Sequence, residues 1–330
     1  MRFVIVGAGA TGGFLGARLA HADEDVTLVA RGPHLEAMRS NGVRVIGAGH
    51  ELIAHPACTE DLSVVGSADV VFLTVKAHAL TALAPRLGPL LGPDTAVVTA
   101  QNGIPWWYFD RFDDGDESPL AGMRLHSADP GAVIAASIET RRVIGCVVYP
   151  ATRLVSPGVI EHLEGTRFSI GEPDGSKTPR CQAIAAALVR AGLKCPIRTR
   201  IRHDLWLKLL GNVAFNPISA LTRATLLDIA THPETRAAAR AVMEEADSVA
   251  RALGVKLEIG VDQRLAGAEQ VGAHKTSMLQ DVETGRPLEV EALLGTVVEI
   301  GDRLGLALPH LRTIYACTQL LDMTMRNLSS

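Results

Sequence analysis

The 330-residue sequence is poor in aromatic side chains and nearly balanced in charge. Phe, Trp and Tyr make up only 4% of the chain, which is too few for a platform on which nucleic-acid bases stack. Lys and Arg number 32 against 36 Asp and Glu, and the net charge of −4 is unsuited to binding a phosphate backbone. These deficits argue against a nucleic-acid partner.

Long apolar runs and export signals are also missing. The longest charge-free stretches, 3–17 and 95–109, have 15 residues and contain glycine, whereas a bilayer-spanning helix needs about 20 apolar residues. Arg2 and the apolar run that ends at residues 20–22 resemble a signal peptide, but Arg18 interrupts the run and its glycines fit another motif. We therefore expect no membrane association and a cytoplasmic location.

Cysteine and histidine lack the spacing of a disulfide framework or a metal site. The five cysteines include no CxxC pair, and the eleven histidines form no HxH or HExxH grouping. This pattern indicates buried or incidental thiols in a reducing compartment and predicts no protein-bound metal. The cysteines are Cys58, Cys146, Cys181, Cys195 and Cys317.

The N-terminus carries a pattern typical of dinucleotide binding. Residues 3–6 are a short, β-branched-rich apolar run, as expected of a strand buried on both faces. In the G-x-G-x-x-G that follows, Gly7 makes the tight turn, Gly9 admits a pyrophosphate and Gly12 allows close helix–strand packing. The N–H groups at the start of the next helix would face the phosphates. The predicted cofactor-binding residues of this loop are Gly7, Ala8, Gly9, Ala10, Thr11 and Gly12.

The end of the second strand predicts which dinucleotide is bound. A site for NAD usually places an acid about 20 residues beyond the glycines, where it binds the ribose hydroxyls. Here the strand 26–29 is followed by Ala30 and Arg31, and the acids at 23–25 lie before the strand. An arginine suits a ribose 2′-phosphate, although a solvated surface arginine is the alternative. The pattern favours NADP(H).

Polar residues follow two further predicted strands. In a doubly wound sheet, ligands collect at the carboxyl ends of the strands. Lys76 follows the strand 70–75, and Gln101-Asn102-Gly103 follows the strand 95–99. A solvated lysine and a plain turn are the alternatives. Their shared position at the ligand-binding edge favours a functional role for both.

The remaining pattern predicts an α/β fold with two domains. Strands at 143–149, 158–162 and 167–170 form a terminal antiparallel group, and a helix at 178–191 and a strand at 195–198 close the first domain. Residues 110–117 carry five acids and are predicted as a solvated loop. Beyond residue 200 the pattern is helical, with one helix over 232–253 capped by Thr231 and Glu234, and another from Pro287.

We therefore predict an N-terminal Rossmann-type dinucleotide-binding domain, residues 1–199, followed by an all-α C-terminal domain, residues 200–330, with a cleft between them. Strands are also predicted at 43–46 and 51–54.

A stripe of polar residues marks an otherwise apolar helix at 205–217. Lys208, Asn212 and Asn216 lie at i, i+4 and i+8, on one face. A helix that is apolar around most of its circumference is buried, so its polar stripe must face partners or a cleft. A desolvated lysine has a lowered pKa and is suited to donate a proton near neutral pH. The alternative is a lysine that reaches solvent along its stem, beside two asparagines that cap or bond within the core.

Taken together, these motifs make the chain resemble the ketopantoate reductase (2-dehydropantoate 2-reductase) family from end to end. The combination and order of the motifs carry the resemblance. The matching pieces are the N-terminal GAGATGG, Arg31, Val75-Lys76-Ala77, Gln101-Asn102-Gly103, Lys208 with Asn212 and Asn216-Pro217, residues 277–281 (SMLQD) and residues 285–290 (GRPLEV).

The resemblance implies reduction of ketopantoate to D-pantoate by NADPH. It implies that Lys208 donates the proton to the carbonyl oxygen, that Asn102 lies near the nicotinamide and substrate, and that Glu289 completes the catalytic network. Asn102 and Glu289 would also contact the cofactor, as would Lys76 and, at the 2′-phosphate, Arg31. Substrate would be held by Lys208, Asn212, Asn216 and Ser277.

Pattern alone would not select every one of these residues. Glu289 by itself would be read as an acid favoured by a helix dipole, with nothing to prefer it over Glu291, and Ser277 as a turn or cap residue.

Two departures from the family pattern concern the substrate. Residues 225–228 (TLLD) replace an Asn-Gly-like element of many members, and the aromatic insert 104–108 follows Gly103, with core packing as its alternative role.

Two other functions therefore stay open at this point. The same hydride chemistry could act on a different 2-oxo acid, or the chain could bind NADP(H) as a non-catalytic sensor. The proton-donor set of Lys208, Asn102 and Glu289 argues against the sensor, because a binding module has no need of it. The oligomeric state is also open, with a homodimer among the alternatives.

Overall fold

The computed structural model of the protein describes residues 1–47, 49–110 and 119–329. These residues form two compact units. The first contains residues 1–101 and 132–202, and the second contains 102–110, 119–131 and 203–329. The division into functional domains at residues 199 and 200 stays a prediction.

A seven-stranded sheet forms the core of the first unit. Its strands run in the order β11-β8-β7-β6-β1-β2-β5, and all neighbours are parallel except β11, which is antiparallel to β8. Six of these strands have the 3-2-1-4-5-6 order of a doubly wound dinucleotide-binding sheet, so the predicted Rossmann-type fold is confirmed. The strands are β1 (Arg2–Val6), β2 (Asp25–Val29), β3 (Val43–Gly47), β4 (His50–Ala54), β5 (Ala57–Thr59), β6 (Ala68–Leu73), β7 (Leu91–Thr99), β8 (Val143–Val148), β9 (Ala151–Ser156), β10 (Val159–Glu164) and β11 (Phe168–Gly171).

A second, four-stranded sheet has the order β4-β3-β10-β9. The predicted single antiparallel group after residue 143 is therefore wrong: β8 and β11 belong to the large sheet, whereas β10 pairs parallel with β3 and antiparallel with β9. A parallel pairing between segments more than a hundred residues apart leaves no local sequence pattern. The predicted strand at 195–198 is also wrong, because this segment makes only one isolated bridge, from Ile197 to Ile170 of β11.

Five helices belong to the first unit among its described residues. The predicted helix at 178–191 is confirmed, since Thr178 caps it and its side chain accepts a hydrogen bond from the N–H of Cys181. The helices are α1 (Ala10–His21), α2 (Gly32–Asn41), α3 (Ala77–Leu83), α4 (Val133–Ser137) and α5 (Pro179–Arg190).

The second unit is helical, as predicted. Its helices are α6 (Ile201–Thr222), α7 (Leu226–Thr231), α8 (Pro233–Ala252), α9 (Val261–Val271), α10 (Ser277–Glu283), α11 (Thr296–Arg303), which follows a π-helical turn at Glu291–Gly295, and α12 (Pro309–Ser329).

Two predicted helix starts are wrong in detail. Helix α8 is capped by His232, whose side chain accepts from the N–H of Thr235, because Thr231 already belongs to α7. The helix predicted from Pro287 begins only at Val290. Residues 287–289 are not helical, so Glu289 lies just before the helix.

Two further predictions can be compared with the structure only over the residues that it describes. No helix in the described ranges combines the length and the apolar character that crossing a bilayer requires. Asp110 is buried, against the predicted solvated loop, and residues 111–117 lie outside the described part of the chain.

Candidate active site

The carboxyl ends of the central strands lie at one level in the first unit. Val6 of β1 is in register with Val29 of β2 and with Leu73 of β6, and Leu73 is in register with Thr99 of β7. The segments that follow these positions carry the glycine-rich loop, Arg31, Lys76 and Gln101. The sheet therefore brings the predicted cofactor residues of this unit to a common edge, where doubly wound folds bind ligands.

The first and third glycines of the loop are required by close packing. Gly7 has φ +101°, and a Cβ added there would lie 2.6 Å from the backbone nitrogen of Val75. A Cβ at Gly12 would overlap the hydroxyl of Thr74, which donates to the carbonyl oxygen of Gly7 over 2.9 Å. The turn and the start of α1 are thus held against the end of β6.

The middle glycine faces open space. No heavy atom lies within 4 Å of a Cβ added at Gly9, and α1 begins at the next residue, with no acidic side chain in its first turn. The backbone N–H groups at a helix N-terminus, beside such a gap, form the environment that a pyrophosphate requires. The loop therefore fits the phosphates of a dinucleotide.

Arg31 stands at the tip of β2 and caps the N-terminus of α2. Its side chain is exposed and makes no hydrogen bond or ion pair with the residues that the structure describes. The acidic residue Glu24 lies at the other end of β2, where its carboxylate forms ion pairs with the N-terminal amine and with Arg190. The guanidinium of Arg31 is available to an anionic ligand. Lys76, the N-cap residue of α3, is half-buried.

Three side chains of the second unit form a continuous hydrogen-bonded chain. The Nζ of Lys208 donates to Oδ1 of Asn102 over 2.7 Å, and Nδ2 of Asn102 donates to Oε2 of Glu289 over 3.3 Å. All three are half-buried and come from three separate segments of sequence. The structure thus brings together the three residues predicted to be catalytic.

The position of Asn102 depends on the glycine that follows it. Gly103 has φ +89°, and a Cβ there would overlap the backbone carbonyl of Ala292. The N–H of Ile104 donates to the same carbonyl over 3.3 Å. The Asn102-Gly103 turn is therefore pressed against the π-helical turn that begins two residues after Glu289, which explains why the amide and the carboxylate meet.

The same π-helical turn separates Glu289 from Glu291, which the sequence could not distinguish. The carboxylate of Glu291 accepts from the hydroxyl of Tyr315 over 2.7 Å and from Nε2 of Gln319 over 2.9 Å, both on α12. Burial and the neighbouring Glu291 raise the pKa of the Tyr315 hydroxyl, so it remains a donor. Glu291 is a structural acid, and Glu289 alone of the two contacts Asn102.

The polar stripe of α6 continues beyond Lys208. Asn212, one turn further, is half-buried and has no hydrogen bond with the described residues. Asn216 is buried, and its Nδ2 lies 3.5 Å from the hydroxyl of Ser277. Ser277 is exposed at the first position of α10, a helix capped by Thr276. The stripe therefore runs from the cation of Lys208 through the unpaired amide of Asn212 to Asn216, which contacts Ser277 of α10.

Aromatic core residues and one arginine contact α6 close to Lys208. Trp206 is fully buried, and its indole N–H donates to the hydroxyl of Tyr108 over 2.8 Å. Because residues 106–108 are all buried, the packed-core alternative for the aromatic insert is confirmed. Arg264 of α9, which no sequence signal singled out, donates to the backbone carbonyl of Leu207, beside Lys208.

Comparison with known proteins decides the family. Residues 3–105 match the family described as Ketopantoate reductase PanE/ApbA, and residues 200–322 match Ketopantoate reductase PanE/ApbA C terminal. The 2-dehydropantoate 2-reductase of Mesorhizobium japonicum is 48% identical over 322 residues, which cover 97% of this chain and 98% of that protein. The chain belongs to the ketopantoate reductase family. The resemblance inferred from the motifs is thereby confirmed.

More distant relatives and solved structures agree. The 2-dehydropantoate 2-reductase of Archaeoglobus fulgidus is 31% identical over 315 residues, 95% of each chain. A provisionally assigned ketopantoate reductase from Ralstonia solanacearum MolK2 superposes with a TM-score of 0.92 at 43% identity and covers 98% of each chain. The 2-dehydropantoate 2-reductase of Geobacter metallireducens GS-15 has a TM-score of 0.84 at 28% identity, covering 97% of this chain and 99% of that one.

Residues 225–228, singled out in the sequence as a departure, form a structural motif. Thr225 caps α7, and its hydroxyl accepts from the N–H of Asp228 while the Asp228 carboxylate accepts from the N–H of Thr225. This reciprocal pair is a capping box. Helix capping thus accounts for both polar residues of the departure.

Proposed function

We propose that this chain reduces 2-dehydropantoate to D-pantoate with NADPH as the hydride donor. The observation that carries the proposal is the hydrogen-bonded chain from Lys208 through Asn102 to Glu289, in a protein that is 48% identical to a 2-dehydropantoate 2-reductase. Reduction of a ketone needs a hydride at carbon and a proton at oxygen. The glycine-rich loop would hold the pyrophosphate of NADPH, whose reduced nicotinamide would supply the hydride.

In this proposal Lys208 supplies the proton. Charge develops on the carbonyl oxygen as the C–H bond forms, and a proton moves from Nζ to that oxygen. Asn102 orients the ammonium group, and Glu289 orients Asn102. Because the carboxylate of Glu289 can only accept, the amide Nδ2 must face it, and the amide oxygen must face Lys208. The neutral amine then regains a proton from water.

We propose that the rest of the stripe binds the substrate. The ammonium of Lys208 attracts the carboxylate that every 2-oxo acid carries. Asn212 has an amide with no partner among the described residues, and Ser277 presents an exposed hydroxyl. Asn216 is placed to orient Ser277 through its 3.5 Å contact. Donors and acceptors along one helix face suit a small, polar, anionic substrate.

The cofactor of the family is NAD(P)H, and we propose NADPH for this chain. The support is the unpaired, exposed guanidinium of Arg31 at the tip of β2, where an acid would favour the ribose hydroxyls of NADH. Lys76, which begins α3 at the same sheet edge, adds positive charge there.

A second candidate is the same chemistry on another 2-oxo acid. D-mandelate dehydrogenase, solved with NADH and anilino(oxo)acetate, has the same fold at a TM-score of 0.84 and 19% identity. The fold alone therefore does not select the substrate or the cofactor. The observation in favour of this candidate is the capping box at residues 225–228, where the resemblance implied an Asn-Gly-like element that binds substrate.

A panel of 2-oxo acids, followed by loss of NADPH absorbance, tests both candidates. We expect the highest kcat/KM with ketopantoate. A preference for another acid would replace the substrate and keep the chemistry. If NADPH binds and no acid is reduced, the chain is a cofactor-binding sensor and the proposal is wrong. The homodimer stays a prediction that analytical ultracentrifugation of the same preparation can test.

A further inference from the structure

We infer that His34 is a positioning residue of the dinucleotide loop, which it holds through the backbone carbonyl of Ala8. His34 lies in the first turn of α2, three residues after Arg31, and no sequence motif singles it out. The inference rests on the proposed use of NADPH, because the loop acts only on a bound dinucleotide.

The hydrogen bonds of His34 determine its tautomer. Its Nδ1 accepts from the backbone N–H of Gly158 over 2.9 Å, so this nitrogen carries no proton. The proton of the neutral ring must then be on Nε2, which lies 2.7 Å from the carbonyl oxygen of Ala8 and donates to it. Both ring nitrogens are therefore used, each in one defined role.

Ala8 needs this support because it lies between Gly7 and Gly9. Glycines on both sides allow the backbone to rotate with little steric resistance. The N–H of Ala8 is anchored to the carbonyl of Val29 over 2.9 Å, whereas its own carbonyl is held by His34. In a trans peptide the C=O and the following N–H point in opposite directions. The N–H of Gly9, at the other end of this peptide, donates to the carbonyl of Gly7 over 2.7 Å. The bond from His34 to the Ala8 carbonyl therefore acts with this backbone bond to set the orientation of the Ala8–Gly9 peptide.

The orientation of this peptide matters for an anionic ligand. Open space borders Gly9, and this is the position at which a pyrophosphate fits. If the peptide rotated, the carbonyl oxygen of Ala8 could turn towards the phosphates, and its negative end would repel them. The bond from His34 opposes that rotation. The effect falls on the part of the ligand that NADPH and NADH share.

The second sheet holds the other side of the imidazole. Gly158 lies in the turn between β9 and β10, with φ +78°, and its carbonyl accepts from the N–H of Arg44 in β3 over 2.9 Å. A Cβ at Gly158 would lie 3.1 Å from Cβ of Ala37 in α2. The turn is therefore packed on α2, and through His34 it is linked to the cofactor loop.

The experiment measures cofactor affinity for His34→Leu by isothermal titration calorimetry. We expect about tenfold weaker binding of both NADPH and NADH, the scale of one lost hydrogen bond to a buried acceptor. The kcat at saturating cofactor should stay within about twofold, because the proton donor is elsewhere. His34→Gln should recover most of the affinity, since its amide N–H can donate to Ala8. Arg31→Ala, in contrast, should weaken NADPH alone.

A matched control separates positioning from general destabilisation. Val45→Ala removes buried volume from β3 of the same sheet and leaves the bonds of His34 intact, so it should lower the Tm without changing cofactor affinity. Gly158→Ala should weaken cofactor binding less than additively with His34→Leu in a double-mutant cycle, because both act through one bond. This second variant keeps the test informative if His34→Leu fails to fold.

Each outcome is decisive. If the unaltered protein binds neither nucleotide, the proposed function and the inference both fail. If it binds NADPH and His34→Leu binds it equally well, only the inference is overturned. If Val45→Ala weakens binding as much as His34→Leu at an equal loss of Tm, His34 has a structural role alone.

Discussion

The dinucleotide loop and the Lys208 site are built in different ways. The loop is a contiguous run from Gly7 to Gly12, placed by the strand before it and the helix after it. The Lys208 site joins side chains separated by 106 and 187 positions in the chain. A local motif tolerates changes elsewhere as long as its own backbone conformation is kept. An assembled site depends on every segment that brings its members together, so distant packing residues affect turnover as well as the reacting groups.

The largest expected effect is loss of the proton donor. Lys208→Ala should cut kcat by about 10²-fold or more, because a positioned general acid contributes on that scale. KM for the 2-oxo acid should rise, since the cation also attracts the carboxylate. NADPH affinity should stay within a few-fold, as measured by calorimetry.

Lys208→Arg sharpens this test. Arginine keeps the positive charge but does not give up its proton near neutral pH. The arginine variant should therefore have a KM between those of the alanine variant and the unaltered protein, while its kcat stays low. Near-normal turnover in the alanine variant would show that Lys208 is structural and that the proton comes from another group.

Substitution of a residue that contacts the cofactor should lower the affinity for the cofactor and not kcat. Arg31→Ala should weaken NADPH binding by about 1.5–3 kcal/mol, or about 10- to 150-fold, the scale of a hydrogen bond to a charged group. NADH binding should be nearly unchanged. Arg39→Ala provides a matched control, because Arg39 is another exposed arginine of α2. An equal loss for both cofactors would mean that Arg31 does not contact the 2′-phosphate.

The features that could be predicted from the sequence are the local ones. Three such features can each be recognised within a short stretch of sequence. They are the glycine spacing, the absence of an acid at the end of β2, and the i, i+4, i+8 stripe of α6. They predicted the fold class and the face of α6 that carries Lys208. Asn102 was favoured by its position after a predicted strand, whereas Glu289 could be selected only by family resemblance, because the contact between the two depends on packing against a π-helical turn. That turn has no local signature that distinguishes it from an α-helix.

The errors have the same origin. The four-stranded sheet depends on the parallel pairing of β3 with β10, and the cap of α8 depends on where α7 ends. Both are decided by distant or competing segments and not by intrinsic preference. His34 escaped notice for the same reason, since its partners at Ala8 and Gly158 lie 26 and 124 positions away.

A packing residue of the assembled site should have a smaller but measurable effect on turnover. In Gly103→Ala the added Cβ overlaps the carbonyl of Ala292 and displaces Asn102, so we expect kcat to fall by about tenfold, a barrier change of about 1.4 kcal/mol. Gly285→Ala is the control: its φ is also positive, +65°, but nothing lies within 4 Å of the new Cβ. Equal losses in both variants would assign the effect to backbone strain and not to displacement of Asn102.

The smallest effect should come from two threonine helix caps that have different neighbours. Thr225 caps α7 and Thr276 caps α10, and each hydroxyl accepts from a backbone N–H of its helix. Replacing either with alanine should lower the free energy of unfolding by about 1 kcal/mol, which urea titration can measure. Thr276→Ala loosens the helix that begins with Ser277, the partner of Asn216, so KM for the 2-oxo acid should also rise. Thr225→Ala should leave KM unchanged, because the capping box accounts for the polar groups there. A raised KM in Thr225→Ala would show that this segment binds substrate in spite of its departure from the family pattern.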